Sequence, residues 1–274
     1  MAEALGKLLI ERGEPARYAL RLGDELVPLN EQVGRGLEFD FSGAVACTAC
    51  GARGARSYGG GYCYDCFTSL ARADLCMMAP NRCHHHLGTC REPEWGTAFC
   101  MRPHVVYLAN TAGLKVGLTR AERTVGRWLD QGATQAMVIC EASTRREAGL
   151  IEVALAQHVS DRADWRKLVQ GDAPPIDLRA RAESLKSSVA IPCGEWSIGE
   201  VTALTYPVDG YGPAEQLQLS AESPRFTSRL LGCKGSYLLF EHGAFNVSAH
   251  RGFEVRVQVV DNPPPPERVQ LNLF

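Results

Sequence analysis

The chain has 274 residues, of which 45% are apolar, and its formal net charge at pH 7 is -2. This length and apolar content allow a sizeable core and favour two or three folding units. Overall charge gives no argument for nucleic-acid binding, although residues 101–186 carry 13 Lys and Arg against 10 Asp and Glu. Because we find no secretory signal and no apolar run long enough to cross a membrane, we expect a soluble, cytoplasmic protein without membrane contacts.

Residues 1–45 are predicted to form short β-strands. Arg17–Leu22 and residues 37–41 alternate apolar and polar side chains with a period of two, and glycines supply turns between them. No residue pattern here indicates catalysis. These strands either stand alone or join a sheet formed by the end of the chain.

The cysteines of residues 46–102 indicate metal binding. Cys47 and Cys50, and then Cys63 and Cys66, form two Cys-x2-Cys pairs separated by twelve residues. This spacing suits four thiolates around one tetrahedral Zn²⁺, as in a zinc ribbon. Since eleven cysteines occur without an export signal, thiolate ligation is favoured over disulfides. We expect a structural zinc; buried free thiols are the alternative.

A second group of cysteines follows in the same segment: Cys76, Cys83, Cys90 and Cys100. Glycines and prolines make the intervening chain loop-like, and we predict that these four residues hold a second structural Zn²⁺. The group lacks a Cys-x2-Cys pair, so a set of three cysteines and one histidine remains open. The candidate histidines are His84, His86 and His104; for each residue of the run His84-His85-His86 a solvated loop is the simpler interpretation.

Residues 103–172 are predicted to form an α+β unit that opens with a β-hairpin. Two apolar runs flank residues 110–113, whose Asn and Gly tolerate the left-handed backbone of a tight turn. A helix, a buried strand at residues 136–140 and a second helix with a capping box at residues 144–147 come next. Glu152 lies at the margin of the second helix's apolar stripe, where it needs an arginine or a divalent cation as partner.

Polar side chains recur along this unit and suit chemistry on a phosphate. They supply a phenol, three or four cations and a carboxylate: Tyr107, Lys115, Arg120, Arg123, Arg127 and Glu152. Arg120, Arg123 and His104 are predicted to contact the substrate.

Residues 173–186 are predicted to be a helical connector, and residues 187–274 a β-rich domain. Six short strands between residues 188 and 260, separated by Gly, Pro and Asp, favour a small antiparallel barrel or sandwich. Four consecutive prolines at residues 263–266 would end any sheet.

The central unit resembles the GIY-YIG nuclease superfamily over about residues 103–170. The likeness rests on Val105-Val106-Tyr107, on Lys115-Val116-Gly117, on Thr119, on an arginine of the first helix and on Glu152. It implies a three-stranded sheet flanked by helices. The whole chain, with its zinc ribbon and β-rich tail, also resembles a bacterial family of unknown function that contains this unit.

The superfamily resemblance implies roles for particular positions. Tyr107 matches the tyrosine that activates the attacking water, Glu152 the carboxylate that holds Mg²⁺ or Mn²⁺, and Arg127 or Arg123 the arginine that stabilises phosphoryl charge. Lys115 replaces the tyrosine of the second motif, where it can neutralise phosphate or lower a neighbouring phenol's pKa. The family's late asparagine has no clear counterpart, and Asp164 is nearest.

We therefore predict an α+β protein, in which a small three-stranded sheet flanked by helices follows a zinc-binding segment and is combined with a β-rich domain. Three functions fit this sequence. The first is a divalent-cation-dependent phosphodiesterase acting on DNA or RNA. The second is a zinc-containing protein that binds DNA, tRNA or other RNA without cleaving it, and the third is a zinc-stabilised scaffold or regulatory protein.

Overall fold

A computed structural model describes residues 1–162 and 164–261 of the chain. The strands, in chain order, are β1 (Glu3–Ala4), β2 (Leu9–Glu11), β3 (Arg17–Leu22), β4 (Glu25–Pro28), β5 (Gly36–Ala46), β6 (Arg53–Gly54), β7 (His104–Asn110), β8 (Leu114–Arg120), β9 (Gln135–Ala142), β10 (Glu195–Trp196), β11 (Thr202–Ala203), β12 (Gln216–Leu217), β13 (Arg225–Lys234), β14 (Tyr237–Phe240), β15 (Gly243–Asn246) and β16 (Phe253–Val260). The α-helices are α1 (Tyr64–Ser69), α2 (Pro93–Cys100), α3 (Thr124–Asp130), α4 (Arg145–Leu155), α5 (Trp165–Leu168) and α6 (Leu178–Ser188). Short 3₁₀ helices connect several of these elements.

The two ends of the described chain share one curled sheet, in the order β1-β16-β5-β13-β14-β15-β12, with β6 added beside β5. The long strand β5 pairs antiparallel with β16 on one side and with β13 on the other. Its alternating residues Leu37, Phe39 and Phe41 are buried, and Phe39 stacks on Phe226 with ring centroids 5.1 Å apart. N-terminal strands β1 and β5 are thus part of the C-terminal sheet, while β2, β3 and β4 form a separate three-stranded sheet against the same core.

The central sheet contains the predicted hairpin. β7 and β8 pair antiparallel, β9 lies on the other side of β7, and both β10 and β11 pair with β9. Every residue of β7 is buried, because α4 and α6 cover one face of the sheet and the core beneath the curled sheet covers the other. The alternation of strand side chains therefore sends Val106 to the helices and Tyr107 to the opposite side.

The fold-class prediction of a small three-stranded sheet flanked by helices is wrong. The described chain is mostly β, with a curled half-barrel of seven strands as its largest sheet, and the central sheet has five strands. Strands β10 and β11 have only two residues each, which is too short for a period-two pattern. The pairing of β5 with strands almost 200 residues later is likewise invisible to local patterns.

No helix among residues 1–162 and 164–261 is both long enough and apolar enough to cross a bilayer. The proline run at residues 263–266 falls outside the described residues.

Candidate functional site

A polar pocket of about 530 Å³ lies beside the hairpin, between α3, α4 and the cysteine-rich segment. All four residues predicted to be catalytic line it: Tyr107, Lys115, Arg127 and Glu152. They come from β7, β8, α3 and α4, respectively. The antiparallel register of the hairpin and the packing of α4 on β8 bring together side chains that are 45 residues apart in the chain.

Tyr107 is the rigid part of the pocket. Its ring is fully buried, meets Trp128 edge to face at a centroid distance of 6.1 Å, and donates its hydroxyl to Oε1 of Gln131 over 2.8 Å. Gly117 lies opposite Tyr107 in the hairpin, and a Cβ atom at Gly117 would come within 2.6 Å of the phenol oxygen. The glycine of the second motif therefore provides the space that the tyrosine of the first motif occupies.

Burial shapes the ionisation of these groups. It raises the pKa of Tyr107 to about 12, so the phenol is neutral at pH 7. It raises the pKa of Glu152 to about 6, although Lys115, Arg127 and Arg145 oppose the shift. Burial, and then the Arg127 guanidinium, lower the pKa of Lys115, against the carboxylates of Glu152 and Asp161. The pocket thus holds charges of both signs that are partly removed from water.

These opposite charges do not neutralise each other by direct contact. Within the described residues, the Glu152 carboxylate makes no ion pair and accepts no hydrogen bond. Asp161 lines the same pocket, and its charge raises the pKa of Glu152, so two carboxylates share this region. Glu152 and Asp161 thus offer two sets of carboxylate oxygens, the ligands that Mg²⁺ and Mn²⁺ prefer, in a pocket whose other charged side chains are mostly basic.

Arginines line the opening of the pocket. Arg120 lies over the Phe99 ring, with its guanidinium carbon 4.2 Å from the centroid, and pairs with Glu122 at 3.3 Å. Arg123 also lines the pocket but pairs with Asp130 at 3.7 Å, which leaves Arg127 as the arginine nearer the floor. Stacking on Phe99 holds the Arg120 guanidinium in place before any ligand arrives.

His104 and Asp164 lie away from this pocket. The buried His104 ring donates its Nδ1–H to the carbonyl oxygen of Arg102 (2.7 Å) and lines a separate cavity of about 490 Å³. Asp164 instead caps α5 by accepting a hydrogen bond from the backbone N–H of Arg166. Neither side chain is brought to Glu152.

Several residues of the pocket are not predicted from the sequence: Met77, Met78, Phe99, Gln131, Arg145 and Asp161. Gln131 could have been found as the residue one helical turn beyond Arg127, on the same face. In the sequence, Arg145 is an ordinary residue at the start of a helix and Asp161 an ordinary loop residue, so neither shows a signal of the pocket. Only the packing of the 3₁₀ turn at Pro80–Arg82 on α4, at Gly149, brings the methionines to the pocket.

The first four cysteines form one cluster. The sulfur atoms of Cys47, Cys50, Cys63 and Cys66 all lie within 4.8 Å of one another, which is compatible with a zinc site. Against the effect of burial, hydrogen bonds from backbone N–H groups lower the pKa of Cys47 to about 6, whereas hydrogen bonding among the sulfurs raises the pKa of Cys50 and that of Cys66, the latter to about 12. These residues fit one tetrahedral Zn²⁺ with a structural role.

The second group is less compact. Cys76, Cys83 and Cys100 are buried beside Trp95 and Phe99, whereas Cys90 is half-buried with its sulfur 3.5 Å from the carbonyl oxygen of Glu92. All four cysteines line one small cavity together with two histidines, His84 and His85, but not His86 or His104. The ligand atoms of Asp74, Cys76 and His84 lie within 4.8 Å of one another.

Residues 34–255 match a protein family whose description is "Protein of unknown function (DUF2797)". The matched region begins just before β5 and ends within β16, so it includes both cysteine groups and the whole polar pocket. No curated protein and no solved structure matches the chain.

Proposed function

Because the chain belongs to the DUF2797 family of unknown function, we propose its activity from the pocket itself: a divalent-cation-dependent phosphodiesterase acting on DNA or RNA. The observation that carries this proposal is the state of Glu152. This carboxylate is half-buried in a pocket lined by one lysine and five arginines, yet none of the described side chains pairs with it. A carboxylate with only a structural role would be saturated by Arg127 or Arg123.

A phosphodiester fits the arrangement of charges. Lys115 and Arg127 place positive charge at the floor, and Arg120 adds a pre-oriented guanidinium at the opening. Guanidinium groups bind phosphate oxygens in pairs and can stabilise the extra charge of a phosphoryl transition state. Glu152, with Asp161 near it, would hold Mg²⁺ or Mn²⁺, which when bound polarises a phosphate oxygen and makes a bound water more acidic.

Tyr107 would act as a neutral phenol. Its hydroxyl donates its only proton to Gln131 and is fixed between Gly117 and Trp128, so its oxygen can accept a hydrogen bond from a water and orient it, while the phenol keeps its own proton at pH 7. Lys115 stands where the GIY-YIG pattern has a second tyrosine. A cation at that position supports phosphate neutralisation, because it lies close to both Arg127 and Glu152.

The test is a cleavage assay on single-stranded, duplex and structured DNA and RNA, with Mg²⁺, Mn²⁺ or a chelator. Glu152→Gln keeps the side-chain shape and removes the charge, and we expect it to lower the rate about 100-fold or more. Glu183→Gln, on the exposed side of α6, is the matched control and should cleave normally. Cleavage by Glu152→Gln at the wild-type rate would refute the proposed reaction.

One observation favours a second candidate, a nucleic-acid-binding protein that does not cleave. The Tyr107 hydroxyl is buried and already engaged by Gln131, and the second tyrosine is absent. Binding that weakens with salt, together with no cleavage under any cation, would select this candidate. The two candidates share Arg120 and Arg127 as phosphate-binding residues.

A further inference from the structure

Arg145 is a buried cation with which no described carboxylate pairs directly. Its side chain begins α4, is 8% exposed, and lies between the polar pocket and the second cysteine group. One guanidinium nitrogen donates to the carbonyl of Met77 at 2.8 Å, while Nε is buried and has no partner. A buried guanidinium in this state is unfavourable unless a negative charge lies nearby.

The groups whose charge would act on Arg145 are three thiols. Cys100, Cys76 and Cys83 surround it on one side, and Glu152 faces it from the pocket. These three cysteines are between 3% and 8% exposed and pack against Trp95 and Phe99. As neutral thiols they give Arg145 no counter-charge. As three thiolates around one divalent metal they would carry a single net negative charge, which Arg145 would balance.

His84 is oriented as a fourth ligand. Its Nδ1 lies 2.7 Å from the Thr89 hydroxyl and its Nε2 lies 3.6 Å from Oδ1 of Asp74, and the ligand atoms of His84, Asp74 and Cys76 all lie within 4.8 Å of one another. Ring nitrogens that bind metals usually have their other nitrogen fixed in this way. Asp74 is already engaged, because it pairs with Arg91 at 2.8 Å and accepts the backbone N–H of Cys76. Cys90 is less buried than the other three cysteines and its sulfur contacts the Glu92 carbonyl oxygen.

We propose a second zinc centre, held by the thiolates of Cys76, Cys83 and Cys100 and by Nε2 of His84, with Arg145 as its buried counter-ion. The set is a Cys₃His arrangement with tetrahedral coordination, and it leaves Cys90 outside. The centre fixes the segment that carries Met77, whose carbonyl Arg145 binds, and so holds one wall of the polar pocket. It does not depend on whether that pocket cleaves nucleic acid.

Zinc content tests the centre directly. Full-length protein is loaded with zinc, desalted and measured by mass spectrometry, and we expect two zinc ions per chain. Cys83→Ser and Cys100→Ser should each retain one, whereas Cys90→Ser and Cys140→Ser should retain two. Cys140 is a matched control because it is buried in β9, outside both groups. One zinc in the wild type, or two in both Cys83→Ser and Cys100→Ser, overturns the proposal.

Measurements of zinc affinity test the roles of Arg145 and His84 independently of the cysteine ligands. Arg145→Met and His84→Ala should each lower the affinity for one of the two zinc ions by roughly 10-fold or more, measured by competition with a chromogenic chelator. Arg146→Met, at the next position of α4, should leave both affinities unchanged. If a cysteine variant fails to fold, titration of the wild-type protein with the chelator still tests the proposal. Release of a single zinc ion per wild-type chain would contradict the second centre. Loss of a zinc from Cys90→Ser contradicts the Cys₃His set.

Discussion

Replacing Gly117 by alanine tests whether the hairpin positions Tyr107. The added Cβ would lie 2.6 Å from the Tyr107 hydroxyl oxygen and 2.7 Å from Cζ, so the ring would have to move by about 1 Å to reach ordinary contact. The ring is enclosed by Trp128 and hydrogen-bonded to Gln131, and it cannot move without breaking these contacts. Overpacking costs about 1–3 kcal/mol, and the lost hydrogen bond adds about 1 kcal/mol.

The expected loss of roughly 2–4 kcal/mol corresponds to a fall in Tm of roughly 4–16 °C, measured by differential scanning fluorimetry. Gly54→Ala is the matched control, because nothing lies within 4 Å of a Cβ built at that exposed strand residue. Adding Tyr107→Phe should not rescue Gly117→Ala, since Cζ remains too close. Equal Tm values for Gly117→Ala and Gly54→Ala would refute the assigned packing.

Three further predictions concern a buried histidine, a buried ion pair and the arginine at the opening of the pocket. Burial lowers the pKa of His250, whose neutral ring accepts the backbone N–H of Leu219 at 3.2 Å. The free energy of unfolding should therefore fall as the pH decreases through about 6.5, the pKa of the unfolded histidine. Urea titrations at pH 8 and pH 5 should show a smaller fall for His250→Phe than for the wild type. Asp172→Asn should lower the free energy of unfolding more than Lys234→Met does, by at least about 1 kcal/mol in denaturant titrations. The reason is that the Lys234 ammonium is fully buried and would lose the carboxylate that pairs with it at 2.6 Å. Phe99→Leu should weaken nucleic-acid binding as Arg120→Ala does, because the Phe99 ring holds the Arg120 guanidinium. In fluorescence anisotropy titrations, the double variant should bind no more weakly than Arg120→Ala alone.

The parts of this protein that sequence predicts are those with local physical causes. The Asn and Gly of residues 110–113 favour the turn that joins β7 to β8, and Thr144 caps α4 by accepting the backbone N–H of Glu147. The spacing of the first four cysteines is that of a thiolate site, and their sulfurs lie together. Each signal lies within one short stretch of chain, where turn, cap or ligand chemistry acts on its own.

The rest depends on contacts between distant segments. β5 joins β13 and β16 through hydrogen bonds that no local pattern specifies, and β10 and β11 are too short to show an alternation. The polar pattern of the unit points to Lys115 and Glu152, and the superfamily resemblance assigns their roles, whereas Asp161 enters the pocket only through the path of the loop after α4. Arg145 could not be recognised because its lack of a paired carboxylate is a property of burial.

The electrostatic state of Glu152 leads to a prediction that separates function from stability. Its pKa of about 6 exceeds the ordinary value of 4.5, so the folded protein favours the protonated form and loses stability as pH rises from about 4.5 to 6. Without a divalent cation, Glu152→Gln should therefore be as stable as the wild type at pH 4.5 and up to about 2 kcal/mol more stable at pH 7. Chemical denaturation at the two pH values, with and without Mg²⁺, measures this difference. A variant less stable than the wild type at pH 7 would show that Lys115 and Arg127 hold Glu152 as a structural ion pair, which would remove the main support for a cation site.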